Sequence, residues 1–247
     1  MRVRRCSFVA AVGMAMVVLV CAAGAAEKKA VAIGDKTLVA WVTVANLGQS
    51  GGAVLTIENP SGVFDSIVFG ELSRGKWMVG SNVFARTQRS QDSYARETAD
   101  AKTLVQIAVV YKGRQVTMYR NGKKYADYAM ASGPITFSTQ SVVLMGLRHI
   151  AAGGSPFFAG SVDDARIYAA ALDAATIASL EPNAAAGPKP LGWWDFEDGK
   201  GADKMKTFPA GKLMGGAKIS GGRLHLDGRD DVFAVGKVAR VARVVDT

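Results

Sequence analysis

From Lys36 to Val235 the chain alternates apolar and polar residues in one short segment after another, and this period of two limits the possible architectures. Successive side chains of a strand point to opposite faces, so alternation marks a strand with one face in a core; an amphipathic helix would need apolar residues three and four apart. Leu38, Ala40, Val42 and Val44 fall on one face of a first strand. Ala53 to Ile57, Ser66 to Phe69 and Lys76 to Val79 read as the next three, bounded by Gly51-Gly52, Asn59-Pro60 and Arg74-Gly75.

The clearest unit follows. Val105, Ile107, Val109 and Tyr111 alternate, Lys112-Gly113 turns the chain, Val116 and Met118 continue the buried face, and Asn121-Gly122 turns it again into Lys124 to Tyr128. Asn-Gly between alternating runs signals a tight hairpin because both residues tolerate positive φ. Ser141 to Leu147 and Phe157 to Tyr168 add two strands, and one short helix is expected from Asp173, its N-cap, to the stop at Glu181-Pro182. Beyond a linker at 183–190, Trp193 to Phe196, Lys212 to Ile219, Leu224 to Leu226 and Val232 to Val235 read as further strands. Residues 237–247 read as a tail or a link to a further domain. The fold class is therefore all-β, a sandwich of two antiparallel sheets with one short helix.

Residues 1–26 have the form of an export signal: Arg2, Arg4 and Arg5, an apolar run from Phe8 to Val20, and small residues up to Ala26. The expectation is a secreted or periplasmic protein with no membrane association once the leader is removed. Both cysteines, Cys6 and Cys21, lie in that segment, so the remaining chain can form no disulfide and no thiolate metal site. The net charge of +9 includes three leader arginines, and the cations at Lys112, Arg114, Arg120, Lys123 and Lys124 sit in turns, where solvation is sufficient explanation. No aromatic stripe accompanies them, which argues against nucleic acid.

Leu38-Val39-Ala40-Trp41-Val42, the run from Val105 to Tyr111, Met118 to Lys123, and Phe158-Ala159-Gly160-Ser161-Val162-Asp163-Asp164-Ala165-Arg166-Ile167-Tyr168 resemble the successive strands of laminin-G-like, concanavalin A-like lectin/glucanase jelly rolls. Trp193 to Gly199 and Leu226 to Val232 are similar to that family's opening strands, yet stand after its closing ones. The resemblance implies either a circularly permuted jelly roll of 27–182 with 191–236, or one domain and the start of a second. The arrangement is also similar to the N-terminal accessory region of bacterial secreted levanase- and invertase-type glycoside hydrolases. On that resemblance the chain is expected to be a non-catalytic module for a polysaccharide or other glycan, with a catalytic domain further along a longer chain. A structural or adhesive cell-surface domain is the alternative.

No catalytic residues are assigned. Gly48-Gln49-Ser50-Gly51-Gly52 has the spacing of a serine-nucleophile elbow, but a strand rather than a helix follows it, so it reads as a hairpin loop. No strand carries a Glu-x-Asp-x-Glu run for hydrolysis of a glycosidic bond; Asp195 and Glu197, two apart, could share a face, but they fall on what resembles an opening strand, where the family has no active site. Sugars stack on exposed aromatic faces, which makes Trp77, Tyr94, Tyr119, Tyr125 and Tyr128 the carbohydrate-binding candidates. The family resemblance also implies a structural calcium near the paired end strands, with Asp163, Asp164, Asp195, Glu197 and Asp198 as ligands. Against this, Asp164 and Arg166, two apart on one strand, also read as a pair that neutralise each other.

Overall fold

The computed structural model describes residues 30–237 and 239–245, so the expected leader lies outside the described residues. Two antiparallel sheets are stacked face to face. The chain runs β1 (Ala32–Ile33), β2 (Lys36–Val44), β3 (Gly52–Glu58), β4 (Phe64–Phe69), β5 (Trp77–Ser81), β6 (Val105–Lys112), β7 (Gln115–Arg120), β8 (Lys123–Ala129), β9 (Phe137–Ser138), β10 (Val142–Gly146) and β11 (Ala159–Tyr168). After α1 (Ala174–Ser179) come β12 (Gly192–Trp194), β13 (Gly211–Met214), β14 (Lys218–Ser220), β15 (Arg223–Asp227), β16 (Val232–Val235) and α2 (Ala239–Val245). The larger sheet has the order β14-β15-β11-β2-β6-β7-β8, with β12 also on β11; the smaller is β13-β16-β10-β3-β4-β5, and β1 pairs with β9 apart from both.

Alternation works as the sequence implies. Leu38, Ala40, Val42 and Val44 of β2 meet Ile57, Ile67, Phe69, Val143 and Phe233 of the facing sheet in one core. Asn121 and Gly122 both have positive φ, 48° and 71°, as a tight primed hairpin turn requires. Asp173 caps α1 by accepting from the Thr176 amide at 2.7 Å.

Parts of the outer faces are also covered, which alternation does not announce. Val39, Trp41, Ala108, Tyr119 and Tyr168 of the larger sheet are buried beneath Ile177 and Leu180. On the smaller sheet, Val142, Leu144, Val232 and Ala234 are buried with Val241 of α2, so a helix stands within the segment expected to be a tail or link. No helix among the described residues is long and apolar enough to cross a membrane.

Three features place the late strands. β11 changes neighbour along its length: Ala159 to Val162 pair with Asp227 to Leu224 of β15, and Ala165 to Ile167 with Trp194 to Gly192 of β12. β12 is shorter than expected, because Phe196 takes a left-handed φ of 57° and turns away. The single strand expected over Lys212 to Ile219 is two strands in different sheets, β13 on β16 and β14 on β15, broken where Gly215 adopts a φ of 65°.

One half-buried contact has a pH consequence. His149 stacks on Phe64 with ring centroids 4.2 Å apart, and burial, then the Arg148 charge, pushes its pKa from 6.5 down to about 4. The unfolded chain takes up this proton near pH 6.5 and the folded chain only near pH 4, so the stability from neutral His149 is present above that window and lost as pH falls through it. Urea midpoints for wild type should fall more steeply between those pH values than those for His149→Phe. Parallel curves would show that His149 contributes nothing to the slope.

Candidate functional site

The site begins with a defect in β11. Its register against β2 shifts between Val162 and Asp164. Val162, Ala165 and Ile167 all face the core, a spacing of three and then two. The bulge thus skips one alternation step and leaves Asp163 and Asp164 together on the outer face. Each then takes a different role.

Asp164 is fully buried and accepts from Arg166 Nε at 3.0 Å and Nη2 at 2.7 Å, from the Asn183 amide at 2.7 Å and from the Trp193 indole at 3.0 Å. Burial pushes its carboxyl up, opposed by these donors. The Arg166 guanidinium lies 4.9 Å from the Trp41 ring centroid and 4.5 Å from that of Trp193. The mutual-neutralisation reading of this pair therefore describes the structure.

Asp163 opens the other way, into a cleft of about 660 Å³ lined with Asn183, Glu197, Arg223 and His225, with Leu104 and Pro182 at its sides. Arg223 Nε donates to Asp163 Oδ1 at 2.7 Å, and Asn183 Nδ2 reaches Asp163 Oδ2 at 3.1 Å and Glu197 Oε1 at 3.2 Å. Arg223 and His225 reach the cleft because Leu224 and Leu226, their alternates on β15, are in the core. Gly222, at a φ of 71°, makes room for Glu197: a Cβ there would stand 2.5 Å from its Oε1. The surface continues over Lys102, Gly160 and the Thr43–Ser161 hydroxyl pair, 2.8 Å apart. Cation, amide and carboxylate thus stand in a fixed row, with donors and acceptors interleaved. Among the described residues, the second Glu197 oxygen and the terminal nitrogens of Arg223 have no hydrogen-bond partner, so both kinds of group remain for a ligand.

The five aromatic candidates are elsewhere. Trp77 is fully buried, its indole donating to Glu97 Oε2 at 2.8 Å and its amide to Tyr125 Oη at 3.2 Å. Tyr94 packs edge-on against Tyr125, and Tyr119 is buried beside α1. Tyr125 and Tyr128 donate to the carbonyls of Ala95 at 2.6 Å and Arg86 at 2.9 Å. Glu97, which no sequence pattern marks, holds this end together: burial would raise it, but Arg120, the Trp77 indole and the Ala99 amide bring it down to about 2. These rings are spent on packing: Trp77, Tyr94, Tyr125 and Tyr128 in or against the main core, and Tyr119 beneath α1. None of the residues lining the cleft is a Trp, Tyr or Phe.

The expected calcium ligands do not gather. Asp163 and Asp164 have the partners given above; Asp195 pairs with Lys204, and Asp198 accepts from the amides of Lys200 and Gly201 at 2.8 and 3.0 Å. With Glu197 bound to Asn183, the five carboxylates serve cations and amides separately and do not fit a shared ion. Among the described residues the carboxylate group whose oxygens converge within 4.8 Å is instead Asp227, Asp230 and Asp231.

Residues 23–178 match the sequence model of the concanavalin A-like lectin/glucanases superfamily. Among solved structures, a Bacteroides ovatus protein provisionally assigned to carbohydrate binding superposes with a TM-score of 0.51 at 11% identity, over 83% of this chain and 52% of that one. This chain thus spans about half the length of that relative. A heptameric SAP-like pentraxin from Limulus polyphemus gives 0.42 at 14% identity, over 62% of this chain and 73% of that one. Domain 4 of the Geobacillus stearothermophilus extracellular arabinanase AbnA, determined with arabinotriose, gives 0.39 at 17%, over 60% and 66%. Among curated protein sequences none matches.

Proposed function

Because this chain belongs to the concanavalin A-like lectin/glucanases superfamily, we propose that it is a non-catalytic glycan-binding module whose ligand docks in the cleft of Asp163, Asn183, Glu197, Arg223 and His225. The observation that carries this reading is the fixed row of donors and acceptors on β11, β15 and the two turns beside them. Sugar hydroxyls both donate and accept, so such a row can serve a diol without moving, and little ordering entropy is lost on binding. Export through residues 1–26 and service to a polysaccharide-degrading catalytic domain belong to the same proposal. So does the arrangement of 27–182 with 191–236 as one permuted unit, supported by the pairing of β12 and β15 with β11.

Affinity electrophoresis through gels containing a panel of polysaccharides tests it. Retardation by at least one glycan is expected, weakened about tenfold or more by Glu197→Ala or His225→Ala, the order expected for lost hydrogen bonds to charged or polar groups. Glu197 is exposed and His225 half-buried, so both variants should fold. Retardation untouched by either variant would move the site elsewhere. No retardation on any glycan would favour the structural or adhesive role.

A further inference from the structure

The geometry points to a second site, next to the first across His225: a hard divalent cation of the calcium class, held by Asp227, Asp230 and Asp231 at the β15–β16 turn. Their ligand oxygens all lie within 4.8 Å of one another, and none of the three is in an ion pair with a lysine or arginine among the described residues. Crowding alone would mean little, since exposed acidic groups are common.

What sets this group apart is Asp231. It is 3% exposed, and while its Oδ2 accepts from the Asp227 amide at 2.8 Å, its Oδ1 is buried with no hydrogen-bond partner. An ionised oxygen removed from water and left unpaired is costly, and such groups are normally paired or bound to a metal. Among the described residues no amide, that of the nearby Gly216 included, hydrogen-bonds Asp231 Oδ1. A bound cation would give it a partner.

Space is provided as well. Asp227 and Asp231 line a cleft of about 270 Å³ with Gly160, Gly216, Lys218 and His225, the last shared with the neighbouring cleft. The β13–β14 turn comes in without side chains: a Cβ on Gly215 would stand 2.5 Å from the Asp230 carbonyl, and one on Gly216 3.0 Å from Asp231 Oδ1. Calcium takes six to eight oxygens in adaptable geometry, so three carboxylates with water completing the shell suit it better than magnesium, which demands a stricter octahedron. This set is distinct from the five carboxylates near β11 and β12.

The test is thermal unfolding of the whole chain after chelation, with calcium or magnesium added back, alongside calorimetric titration. Extracellular calcium modules bind at about 10⁻⁴–10⁻³ M. A saturable rise in Tm of about 5–10 °C near saturation is expected with calcium, smaller with magnesium. Asp230→Asn removes one exposed charge, so its metal-free Tm should equal or exceed that of wild type while its response to calcium is lost. A merely structural aspartate would lower the metal-free Tm and leave the response intact. Asp231→Asn should behave like Asp230→Asn; if it fails to fold, Asp230→Asn still decides. No heat and no shift with either ion, or an undiminished calcium response in Asp230→Asn, would overturn the site.

Discussion

A chain ended after Pro182 is expected to lose cooperative folding altogether. The removed segment supplies Trp194, Phe196, Phe208, Leu224, Leu226, Phe233 and Val235 to the main core, all at most 5% exposed. Burial of a large apolar side chain is worth about 1.5–3 kcal/mol, so these seven contribute on the order of 10–20 kcal/mol, against the whole stability of a domain, about 5–15 kcal/mol. The ordering entropy of the removed segment is recovered too, but the retained part is not compensated: Met145, Phe158 and Val162 lose their cover, and β10 and β11 become open edges. A fragment of residues 27–182 should aggregate or lack near-ultraviolet dichroism. A sharp urea transition for that fragment, close to that of the full chain, would mean that the late strands are an appendage and the single-unit reading is wrong.

Asp164→Ala should destabilise the fold more than any substitution at the cleft or the turn aspartates. It would leave Arg166, 1% exposed, with its charge uncompensated, and the Trp193 indole and Asn183 amide without their acceptor. Removing one partner of a buried ion pair costs about 3–5 kcal/mol, which for a domain of this size lowers Tm by about 6–20 °C. Asp164→Asn should fall between, since an amide can still accept but carries no charge. Asp164→Leu combined with Arg166→Met should recover part of the loss, because removing both charges removes the stranded one. Urea denaturation of wild type and the three variants measures this; a cost below about 1 kcal/mol for Asp164→Ala would show that water reaches Arg166 and compensates it.

Much of the sandwich could be read from the residues because alternation reports a physical constraint, one face in a core. Leu38 to Val44, the Asn121-Gly122 turn and the Asp173 cap each rest on local chemistry and appear where expected. Exposure was less legible. An alternating strand shows that its faces differ, not that the second face is bare, and here Ile177, Leu180 and Val241 bury parts of it, so Tyr119 is unavailable as a platform. Trp77 points into the core itself, its one polar atom satisfied by Glu97 from a loop. The cleft was half visible: Asp163 and Glu197 stand out in the sequence as metal ligands, but Arg223, which claims Asp163, is sixty positions away and only strand pairing brings the two together. The split of Lys212 to Ile219 between sheets depends on the backbone at Gly215, where glycine permits a left-handed turn but does not dictate one.

The extra residue in β11 sets neighbours to different tasks. Asp164 is committed to the buried clamp on Arg166, and Asp163 to the open row that ends at Glu197. Divergence among relatives is thereby channelled: position 164 can scarcely drift without unfolding the chain, whereas Glu197 and His225, on a turn and on a strand away from the clamp, are free to be exchanged. On the proposed glycan-binding role, new specificities should arise there first, on an unchanged foundation.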